Sequence, residues 1–136
     1  MVGSKCDMTM IIGMGTDLAE VKRIHASIER FGDRFLNRIF TPLERRYALS
    51  KANSAERFAA RFAAKEAGMK AIGTGFSSGV SWQHFEVSNQ ASGRPVLRLS
   101  GRALEVANKL GVKVIGLSLT HTSEMAMAIV ILEDGD

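Results

Sequence analysis

Arg61-Phe-Ala-Ala-Lys65-Glu66-Ala-Gly-Met-Lys70 decides how this chain reads. It sits in a segment from Ser54 to about Ala71 that is rich in alanine, the strongest helix former. Asn53/Ser54 open that segment and Gly73 closes it, so the spacing predicts the longest helix of the chain. At about 100° per residue, Phe58, Phe62 and Met69 share one stripe, which must face a core. Ala59, Ala60, Ala63, Ala64 and Ala67 keep much of the remaining surface small, so another element or a ligand can approach the helix backbone. Glu66 and Lys70, four apart, can make an ordinary surface ion pair worth a few tenths of a kcal/mol. Enclosed beside a small-residue surface, the same carboxylate would need a cation.

Before this helix, Met10-Ile-Ile-Gly-Met-Gly15 is a short apolar run closed by glycines and reads as a buried strand. Thr16 or Asp17 then reads as the cap of a helix, with Leu18, Val21, Ile24 and Ile28 as its apolar stripe. Phe35 and Ile39 suggest a short helical piece. Thr41-Pro42-Leu43-Glu44 is a strong helix start: a cap, a proline in the first turn and a glutamate at the third position. After the long helix come a turn region, Gly73-Thr-Gly-Phe-Ser-Ser-Gly79, and strands over 84–88 and 96–99. A helix from Ser100 to Leu110 ends at Gly111, and two strands follow over 114–121 and 125–132. The strands of that last pair are nearly all apolar, which suggests burial on both faces, or helices on one face and another subunit on the other. The expected fold class is α+β: a small, mostly antiparallel sheet packed on a long alanine-rich helix.

The 136 residues suit one domain, over 10–136, with 1–9 as a polar N-terminal extension or vector remnant. No apolar run approaches the roughly 20 residues a membrane-spanning helix needs. Cys6 is the lone cysteine, which excludes an internal disulfide and makes a cytoplasmic setting the default. The formal charge of +4 favours an acidic or phosphorylated partner. Its basic residues are dispersed, with the single Trp and single Tyr far apart, which argues against a nucleic-acid-binding face. A small basic binding module for nucleic acid or an acidic protein is the alternative to catalysis.

Two more sites could carry chemistry. Asp17 follows a strand end, where a helix cap is its commonest role and a rigid functional carboxylate the other. Ser118-Leu-Thr120-His121-Thr122 ends a strand, and an imidazole followed by hydroxyls would suit a phosphate. The 73–79 loop follows a helix, where the free groups are carbonyls, so capping and turn formation account for its glycines. No Walker, dinucleotide-binding or paired-histidine zinc pattern is present.

Taken in order, Gly13-Met-Gly-Thr-Asp17, Arg61-Phe-Ala-Ala-Lys-Glu66-Ala and Ser118-Leu-Thr-His-Thr122 resemble the holo-(acyl carrier protein) synthases. These are the short, single-domain 4′-phosphopantetheinyl transferases. The resemblance spans about 10–133 and includes Lys70-Ala-Ile-Gly-Thr-Gly75 and the Gly93-Arg-Pro95 turn. It implies that fold, and transfer of 4′-phosphopantetheine from coenzyme A to a serine of an acyl carrier protein, releasing adenosine 3′,5′-bisphosphate. It implies Mg²⁺ on Asp17 and Glu66, and Lys65 and Lys70 as candidates beside Glu66 for phosphate contact or leaving-group assistance. The serine's base stays open between Glu66 and a water on the metal. Arg61, Gly73, Gly75, Arg94, Pro95, His121 and Thr122 become coenzyme-binding positions. Lys22, Arg23 and Arg30 become candidates for docking the acidic carrier protein. A homotrimer with interfacial sites, acting without nucleic acid or membrane in fatty acid biosynthesis, completes the expectation.

Overall fold

The computed structural model of the chain describes residues 8–135. Cys6 and most of the expected extension lie outside the described residues. Met10 is tied to the other end of the described chain: its N–H donates to the Asp134 carboxylate at 2.8 Å, and the Asp134 N–H donates back to the Met10 carbonyl at 3.1 Å.

The alanine-rich segment forms one helix, α4 (Ser54–Ile72), closed by Gly73 in the left-handed conformation. Two sheets flank it. The larger has the order β1-β5-β4, all antiparallel, from β1 (Ile11–Glu20), β4 (Val114–His121) and β5 (Met125–Glu133). Ala126, Ala128, Val130 and Leu132 alternate along β5 and are buried. The smaller sheet is the antiparallel hairpin of β2 (Phe85–Asn89) and β3 (Pro95–Leu99). Three short helices, α1 (Val21–Phe31), α2 (Asp33–Ile39) and α3 (Pro42–Leu49), lead from β1 to α4, and α5 (Gly101–Leu110) joins the sheets. The α+β expectation is met. So is the Thr41 start signal: its hydroxyl accepts from the Glu44 N–H, and the Glu44 carboxylate from the Thr41 N–H.

The small surface of α4 receives strands rather than a ligand. A methyl group added at Gly15 would lie 1.9 Å from the Ala67 carbonyl oxygen, and at Gly13 2.2 Å from that of Ala71. Both distances are below any tolerable contact, so β1 lies on the helix backbone only because these residues have no side chain. Gly68 does the same toward the hairpin, where an added Cβ would meet the Phe85 ring at 2.7 Å. That close approach accounts for a glycine inside the helix, at about 1 kcal/mol relative to alanine.

The expected helix start at Thr16 or Asp17 is corrected. β1 runs on to Glu20, which pairs with Met125, and α1 starts at Val21. Leu18 is 63% exposed on the strand and belongs to no helical stripe. The physical reason is which face is apolar. Gly13, Gly15, Asp17 and Ala19 point to the helix, so the inward face is small rather than hydrophobic, and Met14 and Leu18 point outward. Ser100 precedes α5 as expected but makes no side-chain capping bond.

Candidate active site

Asp17 lies two residues beyond Gly15 on the strand face that meets α4, and Glu66 is the residue before Ala67, which Gly15 touches. Both carboxylates thus stand on the two elements that form the β1–α4 seam. The surface pair expected between Glu66 and Lys70 is not formed. Lys70 reaches across to β1, donating to Asp17 Oδ1 at 2.9 Å and to the Thr16 carbonyl at 3.0 Å. Glu66 instead accepts from the Trp82 indole N–H at 2.7 Å on Oε2. Trp82 opens a 3₁₀ turn (Trp82–His84) ahead of β2 and is a site residue that sequence reasoning missed.

Lys65 stands apart from this seam, and its expected role is corrected. It is fully buried, with Nζ 2.7 Å from Glu44 Oε1. Its ammonium also donates to the carbonyls of Trp82 and Phe85. Glu44, equally buried, accepts from the Val87 N–H at 2.6 Å as well as from Thr41. Burial pushes the Lys65 ammonium below its ordinary pKa, against the opposing pull of Glu44. Three acceptors use the three N–H groups of Lys65, so none remains for a phosphate. The residue joins α3, α4 and β2.

A second cluster forms where α4 meets the hairpin and β4. A cleft there is lined by Tyr47, Arg61, Asn89, Gly93, Pro95 and His121 among others. Arg61, 3% exposed, donates to Asn89 Oδ1 at 2.7 Å and lies 4.2 Å from the Tyr47 ring centroid. Its Nε is buried with no protein partner. Burial lowers the Arg61 pKa, partly offset by Tyr47 and Glu44. His121 Nδ1 is 3.1 Å from Glu56 Oε1. The cleft thus brings together Arg61, Pro95 and His121, with Tyr47 and Asn89 as partners that sequence reasoning missed.

The other expected positions lie elsewhere in the fold. The Thr122 hydroxyl accepts from the Glu124 and Met125 N–H groups and so shapes the β4–β5 turn. Gly73 and Gly75 have positive φ, 80° and 55°, in the loop after α4. Arg94 is exposed at the hairpin turn. Lys22, Arg23 and Arg30 are all exposed on α1, Arg23 within 3.8 Å of Glu20 and Arg30 against the Phe31 ring.

Among the described residues, no group of three or more His, Cys, Asp and Glu side chains could hold a metal. Asp17 and Glu66 are hard oxygen donors, and a two-carboxylate set suits Mg²⁺, which draws its other ligands from water and substrate phosphates. Asp17 already takes one cation, the Lys70 ammonium. The residues fit the ion.

The helix-on-sheet fold with this charged seam belongs to a defined class. The family model of the 4′-phosphopantetheinyl transferase superfamily matches residues 13–130, and the chain belongs to that superfamily. Within it, the chain groups with the holo-[acyl-carrier-protein] synthases and is an enzyme. The proteins of that name from Solibacter usitatus and Koribacter versatilis are 62% and 59% identical to it over 125 residues, covering 92% of this chain and all of theirs. The synthase structure from Neisseria meningitidis superposes with a TM-score of 0.82 at 35% identity, covering 90% of this chain and 98% of that one. The synthase from Bacillus anthracis, solved in complex with CoA (3′,5′-ADP), gives 0.75 at 38% identity, covering 93% and 99%. Membership of an enzyme family displaces the alternative of a non-catalytic basic module. Among the described residues no helix is long and apolar enough to cross a membrane.

Proposed function

We propose that this chain transfers 4′-phosphopantetheine from coenzyme A to a serine hydroxyl of an apo acyl carrier protein, with Mg²⁺, releasing adenosine 3′,5′-bisphosphate. The observation that supports it is the β1–α4 seam, where Lys70, one helical turn beyond Glu66, donates to Asp17 in a chain of this family. Asp17 and Glu66 would hold the ion, whose chemistry is to neutralise charge on the phosphoryl oxygens and orient the leaving group.

The protein's own groups divide the remaining work. Two protons of Lys70 are used by Asp17 and Thr16, so the third is available to a phosphoryl oxygen or the leaving phosphate. Oε1 of Glu66 has no protein donor among the described residues, since Trp82 binds Oε2. Arg61 and His121 line one cleft, and the orphaned Arg61 Nε suits a further phosphate of the coenzyme. The positive α1 face, with Lys22, Arg23 and Arg30, would steer an acidic carrier protein mainly through encounter rate. Residues 10–136 serve as one catalytic domain.

The outer face of the larger sheet supports self-association. Its cross-strand rows are Met14–Ile131–Gly116, Thr16–Ile129–Ser118 and Leu18–Met127–Thr120. Met14 and Leu18 are 61% and 63% exposed in the single chain. The apolar side chains of Met14, Leu18, Met127, Ile129 and Ile131 make that face suited to burial by further copies, and we take the assembly to be a trimer with its sites at the interfaces. Light scattering should give three times the 14.8 kDa chain mass.

The direct test incubates the protein with coenzyme A, Mg²⁺ and apo acyl carrier protein and weighs the carrier by mass spectrometry. A phosphopantetheine-sized gain that disappears with chelator is expected. An unchanged carrier mass across a range of conditions overturns the proposal.

A further inference from the structure

Asp17 is held in place by a strand in a ladder, but Glu66 extends from a helix on a flexible side chain. What orients it is the indole of Trp82, whose N–H donates to Oε2 at 2.7 Å. That indole is fixed from several sides. Its ring lies 4.3 Å from the Phe76 ring and 6.3 Å from Phe62, between centroids, and the Arg38 guanidinium is 5.7 Å from its centroid. Its backbone carbonyl accepts from buried Lys65 at 3.1 Å. Lys65 and Glu66 are neighbours on α4, so one holds the Trp82 main chain while the other is held by its ring.

Resting on the Mg²⁺ reading above, we propose that Trp82 is a positioning residue for the transfer reaction. Its N–H occupies one Glu66 oxygen and presents the other to the metal. Lys65 acts one step further back, through Trp82. A hydrogen bond to a ligating carboxylate fixes its rotamer before the ion arrives, and outer partners of this kind typically change metal affinity or activity about 10–100-fold. The bond also disfavours two-oxygen chelation by Glu66, which leaves coordination positions for waters and substrate oxygens.

The chain has a single tryptophan, so its indole N–H gives one nitrogen–proton NMR signal from the protein as it stands. That signal is expected downfield and to shift on Glu66→Gln, and to shift far less on Asp17→Asn. An indole signal unmoved by Glu66→Gln overturns the assignment without any Trp82 variant. The second measurement is Mn²⁺ binding by electron paramagnetic resonance, with thermal melting as a control. Trp82→Phe keeps the ring against Phe76 and removes only the donor. It should weaken Mn²⁺ about 10–100-fold with the melting midpoint little changed. In the transfer assay it should raise the Mg²⁺ needed for half-maximal rate, leave KM for coenzyme A near its original value, and be rescued by excess Mg²⁺. If Glu66→Gln binds Mn²⁺ as tightly as the unaltered protein, the metal reading itself fails and takes the Trp82 assignment with it. If Glu66→Gln loses Mn²⁺ while Trp82→Phe binds normally, the metal reading stands and the Trp82 assignment is overturned.

Discussion

Helix α4 carries two lysine–carboxylate pairs five residues apart, and they live in opposite surroundings. Lys65 and Glu44 are sealed, both side chains at 0% exposure, with every ammonium proton on a protein oxygen. Lys70 and Asp17 sit at the rim of the seam, 54% and 16% exposed. The difference teaches what each pair can do. A sealed pair cannot exchange its partner without unfolding its surroundings, so it ties elements together. An open pair has water on one side, gains little from its own attraction, and can give up either partner to a cation or an anion. Both lysines lie in one ten-residue stretch, yet only the open pair is equipped for chemistry.

Substitutions can break or sharpen that contrast. The largest stability effect is expected from Lys65→Met, which strands a buried Glu44 carboxylate. Urea unfolding should show a loss of about 3–5 kcal/mol. The Glu44→Gln/Lys65→Met double variant should recover part of it, because the uncompensated charge is gone. Next comes chemistry: Glu66→Ala or Asp17→Ala should lower the transfer rate roughly a hundredfold or more, or about 2.7 kcal/mol in barrier, while the urea midpoint barely moves. Should either variant retain transfer, the metal site would be misplaced. Gly15→Ala tests the seam itself. Its methyl group meets the Ala67 carbonyl, and the strain of overpacking is expected to lower stability by about 1–3 kcal/mol. The smallest change is Lys70→Met, with stability within about 1 kcal/mol by thermal melting but transfer impaired. A stability loss as large as that of Lys65→Met would erase the distinction between the two pairs.

Much of the frame could be read from the residues, because its signals are local. The α4 boundaries follow from Asn53, the alanines and Gly73, and the α3 start from a capping box whose members are three residues apart. The strand pair around 84–99 follows from strand-forming residues on either side of a turn, and the pair around 114–132 from two nearly all-apolar runs around a short loop. β1 was read short because its inward positions are glycines and an aspartate, so its apolar residues fall on the wrong face for a half-buried strand. Leu18, Val21 and Ile24 then mimic a helical period across a strand–helix boundary. In the site, Asp17, Glu66 and His121 stood out locally only as candidates, and resemblance in order and spacing gave them and Arg61 their roles. Nothing local separates Lys65 from Lys70: their partners, Glu44 on α3 and Asp17 on β1, are supplied by the tertiary fold. Trp82 escaped notice for the same reason, since an indole before a strand carries no mark of the carboxylate it will meet.

The bare backbone of Gly13 and Gly15 has a consequence for alignment. Sliding β1 by two residues along α4 would thrust Asp17 into the place Gly15 now occupies, where there is no room even for a methyl group. Sliding it two residues the other way would bring Ile11 to the place of Gly13, against the Ala71 carbonyl. The missing methyl groups therefore work as an indexing notch. They set the latitude of one carboxylate against the other before any ion, coenzyme or partner is present.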